Sequence, residues 1–183
     1  MVSPLNDSPL KLRARSGADL ALLSGLLQDA LICGTDMTYE AKDKRFVAVF
    51  NRFCWDRDGA LEDEAEVDTA PGAYHRSHSG LVIDRVVSVQ SKNVDLKDGS
   101  KLLNLLSVHE LGDQIELVFS GGAAIRLKTT GILAHLSDLG DSWPTKWRPH
   151  HGHDAEILAE EAERAQETER AQATDADAGA GTQ

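Results

Sequence analysis

Apolar side chains recur at every second position along most of the chain from Met37 to Ser137, and that period decides what the chain can fold into. Met37 and Tyr39 alternate with Asp36, Thr38 and Glu40. Arg45–Trp55 reads as a long strand, with Val47 and Val49 on one face and Phe46, Ala48 and Phe50 on the other. A strand apolar on both faces is covered on both sides, so a helix is expected over one face and the rest of the sheet over the other. Further strands are expected at Tyr74–Asp84 and Val86–Ser91. Leu102–His109 fits a helical stripe as well as a strand. The strand is preferred because Gly112-Asp113 follows and Ile115, Leu117 and Phe119 then alternate cleanly, which makes a hairpin. Gly121-Gly122 gives a second tight turn, Ile125 and Leu127 alternate with Arg126 and Lys128, and Ile132–Ser137 reads as the last strand. Residues 36–91 and 102–137 share a rhythm of a hairpin followed by further strands, which suggests two β-meanders.

Ahead of this region, Leu10–Ala14 reads as a short first strand and Ser16 as a helix cap. Leu20, Leu23, Leu26, Leu27, Ala30 and Leu31 then recur at spacings of three and four, which predicts a helix over 17–31 with Gly34 as its stop. Asp56 to Gly72 breaks the alternation with seven acidic residues, one base, Pro71 and two glycines, and is expected to be a mobile, solvated loop. The expected organisation is a disordered N-terminus over 1–9, a single α+β domain over 10–151, and an acidic tail over 152–183. The tail is rich in Ala, Glu and Gln but too sparse in large apolar groups to bury a face, so it reads as a frayed helix running into disorder.

The chain has 183 residues with 19 Lys+Arg against 30 Asp+Glu, a formal net charge of −11. Nine acidic residues and two arginines after His151 supply most of that excess, so the domain itself is close to neutral. An acidic balance argues against nucleic acid and anionic membrane as partners, because both are held by clustered Lys and Arg. Met1–Pro9 has neither the basic nor the apolar region of a secretory signal, and the longest apolar runs are far below the ~20 residues of a membrane helix. Cys33 and Cys54, the only cysteines, are therefore read as reduced thiols of a cytoplasmic protein.

Several stretches carry a family resemblance. They include Leu10-Lys11-Leu12-Arg13-Ala14, Leu27-Gln28-Asp29-Ala30-Leu31, Asp36-Met37, Arg45-Phe46-Val47 and Asn51-Arg52-Phe53-Cys54-Trp55. His78 before Gly80-Leu81, Ile115–Phe119 with Gly121-Gly122, and Ile125-Arg126-Leu127 continue it. Asp138-Leu139-Gly140, Trp143-Pro144-Thr145 and Trp147-Arg148-Pro149 close it. With these, the chain resembles the bacterial domain of unknown function 2948 family over about residues 10–150. The resemblance brings no activity with it.

The remaining chemistry is sparse. His150, His151 and His153 are the densest ligand-like cluster, but adjacent side chains on a loose segment do not converge, so no metal is expected. His75 and His78 stand three apart on a strand and so point to opposite faces. Cys54 sits between Phe53 and Trp55 and reads as an inert core thiol; Cys33, at the end of the expected helix, faces the wrong end of its dipole for a thiolate. Asp29, Asp36 and Asp84 are the candidate acids, with nothing to show that any two meet. Arg52, Trp55, Trp143, Lys146, Trp147 and Arg148 form an aromatic–basic set that could clamp a planar or anionic ligand. Phosphate-binding and dinucleotide glycine loops, a serine nucleophile elbow and paired C-x-x-C motifs are absent. The expectation is an α+β domain: a mainly antiparallel, curled sheet of about eight or nine strands, barrel- or sandwich-like in the pleckstrin-homology-like manner, with one N-terminal helix. It is expected to be a non-catalytic binding or adaptor domain without cofactor, contacting a protein or small molecule through Arg52, Trp55, His78, Trp143, Trp147 and Arg148. Self-association through a sheet edge is part of that expectation. The alternative is a small hydrolase or metal-assisted enzyme using His78 with Asp36 or Asp84.

Overall fold

A computed structural model gives the fold and describes residues 9–58, 74–97, 99–146 and 149. The expectations for 1–8, most of the acidic loop, Trp147, Arg148, the His150–His153 cluster and the tail lie outside the described residues. The elements are β1 (Lys11–Ala14), α1 (Gly17–Leu27), β2 (Leu31–Cys33), β3 (Met37–Glu40), β4 (Arg45–Phe53), α2 (Trp55–Asp58) and β5 (Tyr74–Ile83). They continue with β6 (Val86–Lys92), β7 (Leu102–Leu111), β8 (Gln114–Phe119), β9 (Ala123–Thr129), β10 (Ala134–Asp138) and β11 (Trp143–Thr145). All described pairings are antiparallel, in the order β1-β10-β5-β4-β2-β7-β8-β9-β6, with β3 also on β4 and β11 also on β5. The α+β class is as expected, but the sheet stays open, so the barrel alternative is not formed.

The two expected meanders are present as β3-β4-β5 and β7-β8-β9. Each hands its next strand to the other: β6 leaves β5 to pair with β9, and β10 leaves β9 to pair with β5. The two corners where this exchange happens are tied together. Asp84 N–H donates to Leu133 O at 2.9 Å and Thr130 N–H to Arg85 O at 3.2 Å. Arg85 takes a left-handed φ of 64° to turn the corner. The β7–β8 hairpin turns on Gly112 at φ 62°, a conformation that costs glycine no clash.

The sheet carries eleven strands among the described residues, more than the eight or nine expected; β2 and β11 are the additions. Helix α1 starts where the sequence places it. Ser16 Oγ accepts from Asp19 N–H while Asp19 returns its carboxylate to Ser16 N–H, a complete capping box. It stops at Leu27 rather than Leu31, because Gln28 turns extended, Asp29 takes φ 59°, and the next backbone groups pair with β7. Asp29 N–H donates to Leu105 O and Leu105 N–H to Ala30 O, both at 2.9 Å. Cys33 therefore lies on a strand and not at the C-terminus of α1.

Leu20, Leu23 and Leu27 of α1 are buried against the sheet, chiefly on β7. With Phe46, Phe50, Leu81, Ile115, Leu117 and Ile125 they belong to one core. Period two is obeyed on β4: Phe46, Ala48 and Phe50 point into this core. The outer face is only partly covered, with Val47 half-buried and Val49 36% exposed, so the expectation of cover on both faces holds for the inner one alone.

Candidate functional site

Three neighbouring strands place a polar side chain in an inward, apolar phase at the same end of the core. On β4, Arg52 shares the phase of Phe46, Ala48 and Phe50; on β5, Ser79 shares that of Leu81 and Ile83; on β10, Asp138 shares that of Ala134 and Leu136. Arg52 is 1% exposed, and such a charge must be paired. Its Nη2 donates to Asp138 Oδ2 at 2.9 Å, its Nε to Asp138 Oδ1 and Ser79 Oγ at 3.2 Å, and its Nη1 to Asp56 Oδ1 of α2 at 2.6 Å. Ser79 Oγ donates to Asp138 Oδ1, and the other Asp138 oxygen accepts Leu10 N–H at 3.0 Å. Burial pushes the Asp138 carboxyl up, but Arg52, Ser79 and the Leu10 amide together hold it below the ordinary carboxylate value. Burial likewise works against the Arg52 cation, and its two carboxylates outweigh it. A cleft of about 260 Å³ opens over this network, with His75, Arg57 and Ser142 on its walls; Arg57 Nη1 donates to Ser142 Oγ at 3.1 Å.

The opposite face of β4 and β5, with β2 beside them, carries a second cleft of about 450 Å³. Register arranges its floor. Leu31, Asn51 and His78 face one another across β2, β4 and β5; Leu102 pairs with Cys33, and Val49 with Gly80, two residues further along. Leu139 lies over Gly80, where a Cβ would come within 3.2 Å of it. Leu139 N–H is anchored on His78 O at 2.8 Å. Asp36 and Asp141 complete the lining.

The described members of the expected binding set divide between these surfaces. Arg52 is inside, locked to carboxylates and not stacked on an indole. Trp55 packs on Phe53 with centroids 4.5 Å apart, and its Nε1 donates to Gln28 O at 2.8 Å. The guanidinium over an aromatic ring is that of Arg76, 5.8 Å from the Phe53 centroid; burial pushes its basicity down. His78 and Trp143 do meet, with ring centroids 4.6 Å apart, because β11 lays Trp143 opposite Arg76 on β5. His75 lines the inner cleft and His78 the outer one, as their spacing requires. Lys146 is exposed. Cys54 is 3% exposed, and both cysteines are free thiols.

The candidate acids do not assemble with His78. Asp84 lies six residues further along the chain, just past the end of β5, about 20 Å away at strand rise, and is paired with Arg45 Nε at 2.8 Å. Asp36 shares the outer cleft with His78 but makes no hydrogen bond to it. Asp29 is 6% exposed and accepts from Asn104 Nδ2 at 3.4 Å. No group of three or more His, Cys, Asp or Glu suited to a metal occurs among the described residues. No helix among them is long and apolar enough to cross a membrane.

Sequence reasoning passed over Asp138, Ser79 and Asp56. For Ser79 and Asp138 the signal is phase: with Arg52 they stand in the inward register of three strands, which becomes visible only once the strands are known to be neighbours, whereas Asp56 lies on α2.

A family model described as "Protein of unknown function (DUF2948)" matches residues 10–151. The chain belongs to this family. The match spans all the described strands and, apart from Pro9 at the first cleft, the lining of both clefts, so the two surfaces lie almost wholly within the family's own domain. No curated protein and no solved structure matches the chain.

Proposed function

We propose that the domain is a non-catalytic binding or adaptor module of the cytoplasm, and that it engages its partner on the outer face of β2, β4 and β5. One observation carries this reading. Of the eight large apolar side chains exposed among the described residues, three line that single cleft: Val49 at 36%, Leu102 at 57% and Leu139 at 59%. Scattered exposed leucines are ordinary, whereas convergence on a concave surface with a few polar groups is the usual form of a binding site. The separation of His78 from Asp84, and the saturation of Arg52 by its carboxylates, support binding over catalysis. Two free thiols support a reducing compartment. The proposal includes self-association through a sheet edge, since β1 and β6 each end the sheet.

Affinity capture from native cytosol tests it, with full-length protein and a Val49→Lys variant run side by side and the eluates read for proteins and small molecules. A constituent retained by the wild type and reduced about tenfold, 1.4 kcal/mol, by the variant is the expected result, with the thermal midpoint unchanged. Equal recovery by both, or recovery of nothing, overturns the assignment of this face.

A further inference from the structure

We propose that the outer cleft takes a small organic cation, an amphiphilic amine whose apolar body lies on Leu31, Val49, Leu102 and Leu139 and whose charged head meets Asp36 and Asp141. This rests on the binding reading above and names the chemical class of its ligand. The volume of about 450 Å³ falls in the range of small-molecule sites, which are mostly apolar with a few polar groups fixing orientation.

Charge selects the head group. Asp36 and Asp141 are the charged side chains of the lining, and no Lys or Arg contributes to it among the described residues. Both carboxylates are exposed and neither has a hydrogen-bond or ion-pair partner among the described residues. Asp138 and Asp56 are paired with Arg52, Asp84 with Arg45, and Glu116 with Arg126. Asp36 and Asp141, of which Asp141 also borders the first cleft, put negative charge beside an apolar floor and favour an ammonium over a carboxylate or phosphate.

The test uses full-length protein and three probes of one chain length: hexylamine, hexanol and hexanoate, titrated by calorimetry or ligand-observed NMR. Cys33, half-buried on the cleft floor, gives an independent readout through its alkylation rate by iodoacetamide, resolved from buried Cys54 by peptide mapping. Hexylamine is expected to bind about tenfold tighter than hexanoate and to slow Cys33 alkylation, with the preference collapsing at about 0.5 M salt. The Asp36→Asn/Asp141→Asn double variant should bring hexylamine to the level of hexanol, and Val49→Lys should abolish its binding. Hexanol or hexanoate binding as well as hexylamine overturns the cation while leaving a binding cleft. Amine binding that survives Val49→Lys overturns the location. If no probe binds and Cys33 reacts at an unchanged rate, the small-cation class fails; the binding reading then stands or falls on whether Val49→Lys still removes the captured constituent.

Discussion

Arg52 is the residue on which one end of the domain closes. Its guanidinium joins β4 to α2, β5 and β10, and Asp138 extends the link to the start of β1 through Leu10. Removing one partner of a buried pair leaves the other charged and unpaired, so Arg52→Met is expected to cost about 3–5 kcal/mol in urea unfolding. Arg52→Met/Asp138→Leu should recover most of that loss, because replacing both charges removes the stranded carboxylate; a double variant no more stable than the single one would contradict this account. The same pair sets an acid limb. The Asp138 carboxyl is held below the ordinary carboxylate value in the folded chain, so its stabilisation is complete above that ordinary value and is lost as pH falls through the lowered one. Measured stability should therefore fall with acidification below about pH 4, and less steeply in Asp138→Asn.

At the scale of elements, the N-terminal boundary of α1 is a local matter and its C-terminal boundary is not. The start is held by Ser16 and Asp19, three residues apart and hydrogen-bonded reciprocally. Ser16→Ala is expected to cost about 1 kcal/mol, and Ser16→Asn much less, in thermal or urea unfolding. The apolar stripe runs on through Ala30 and Leu31 with helical spacing, yet Asp29 N–H and Ala30 O pair with Leu105 of β7 and Leu31 joins β2 instead of continuing the helix. Strand β11 was illegible for a related reason. Trp143-Pro144-Thr145 has no alternation of its own, and Pro144 offers no N–H; it is a strand because Tyr74–Arg76 lies beside it.

The two meanders exchange strands, so the described domain is expected to unfold as one cooperative structure. Neither half completes its sheet alone: β6 needs β9, and β10 needs β5. Trp55 and Trp143 report on the β4–β5 side, whereas far-UV dichroism reports on all the strands. The two signals should trace one urea transition with the same midpoint; separate midpoints would show that the halves unfold independently. Period two, the capping box and the glycine turns depend on neighbours within a few residues, so the sequence alone determined the strands from β3 to β10, the onset of α1, the two meanders and the family. Strand exchange, the open edge, the pairing of Arg52 with Asp138 and the convergence of Val49, Leu102 and Leu139 join residues far apart in the chain. Tertiary structure decided those, because a side chain's phase fixes which face it takes, and only the order of strands fixes what stands beside it.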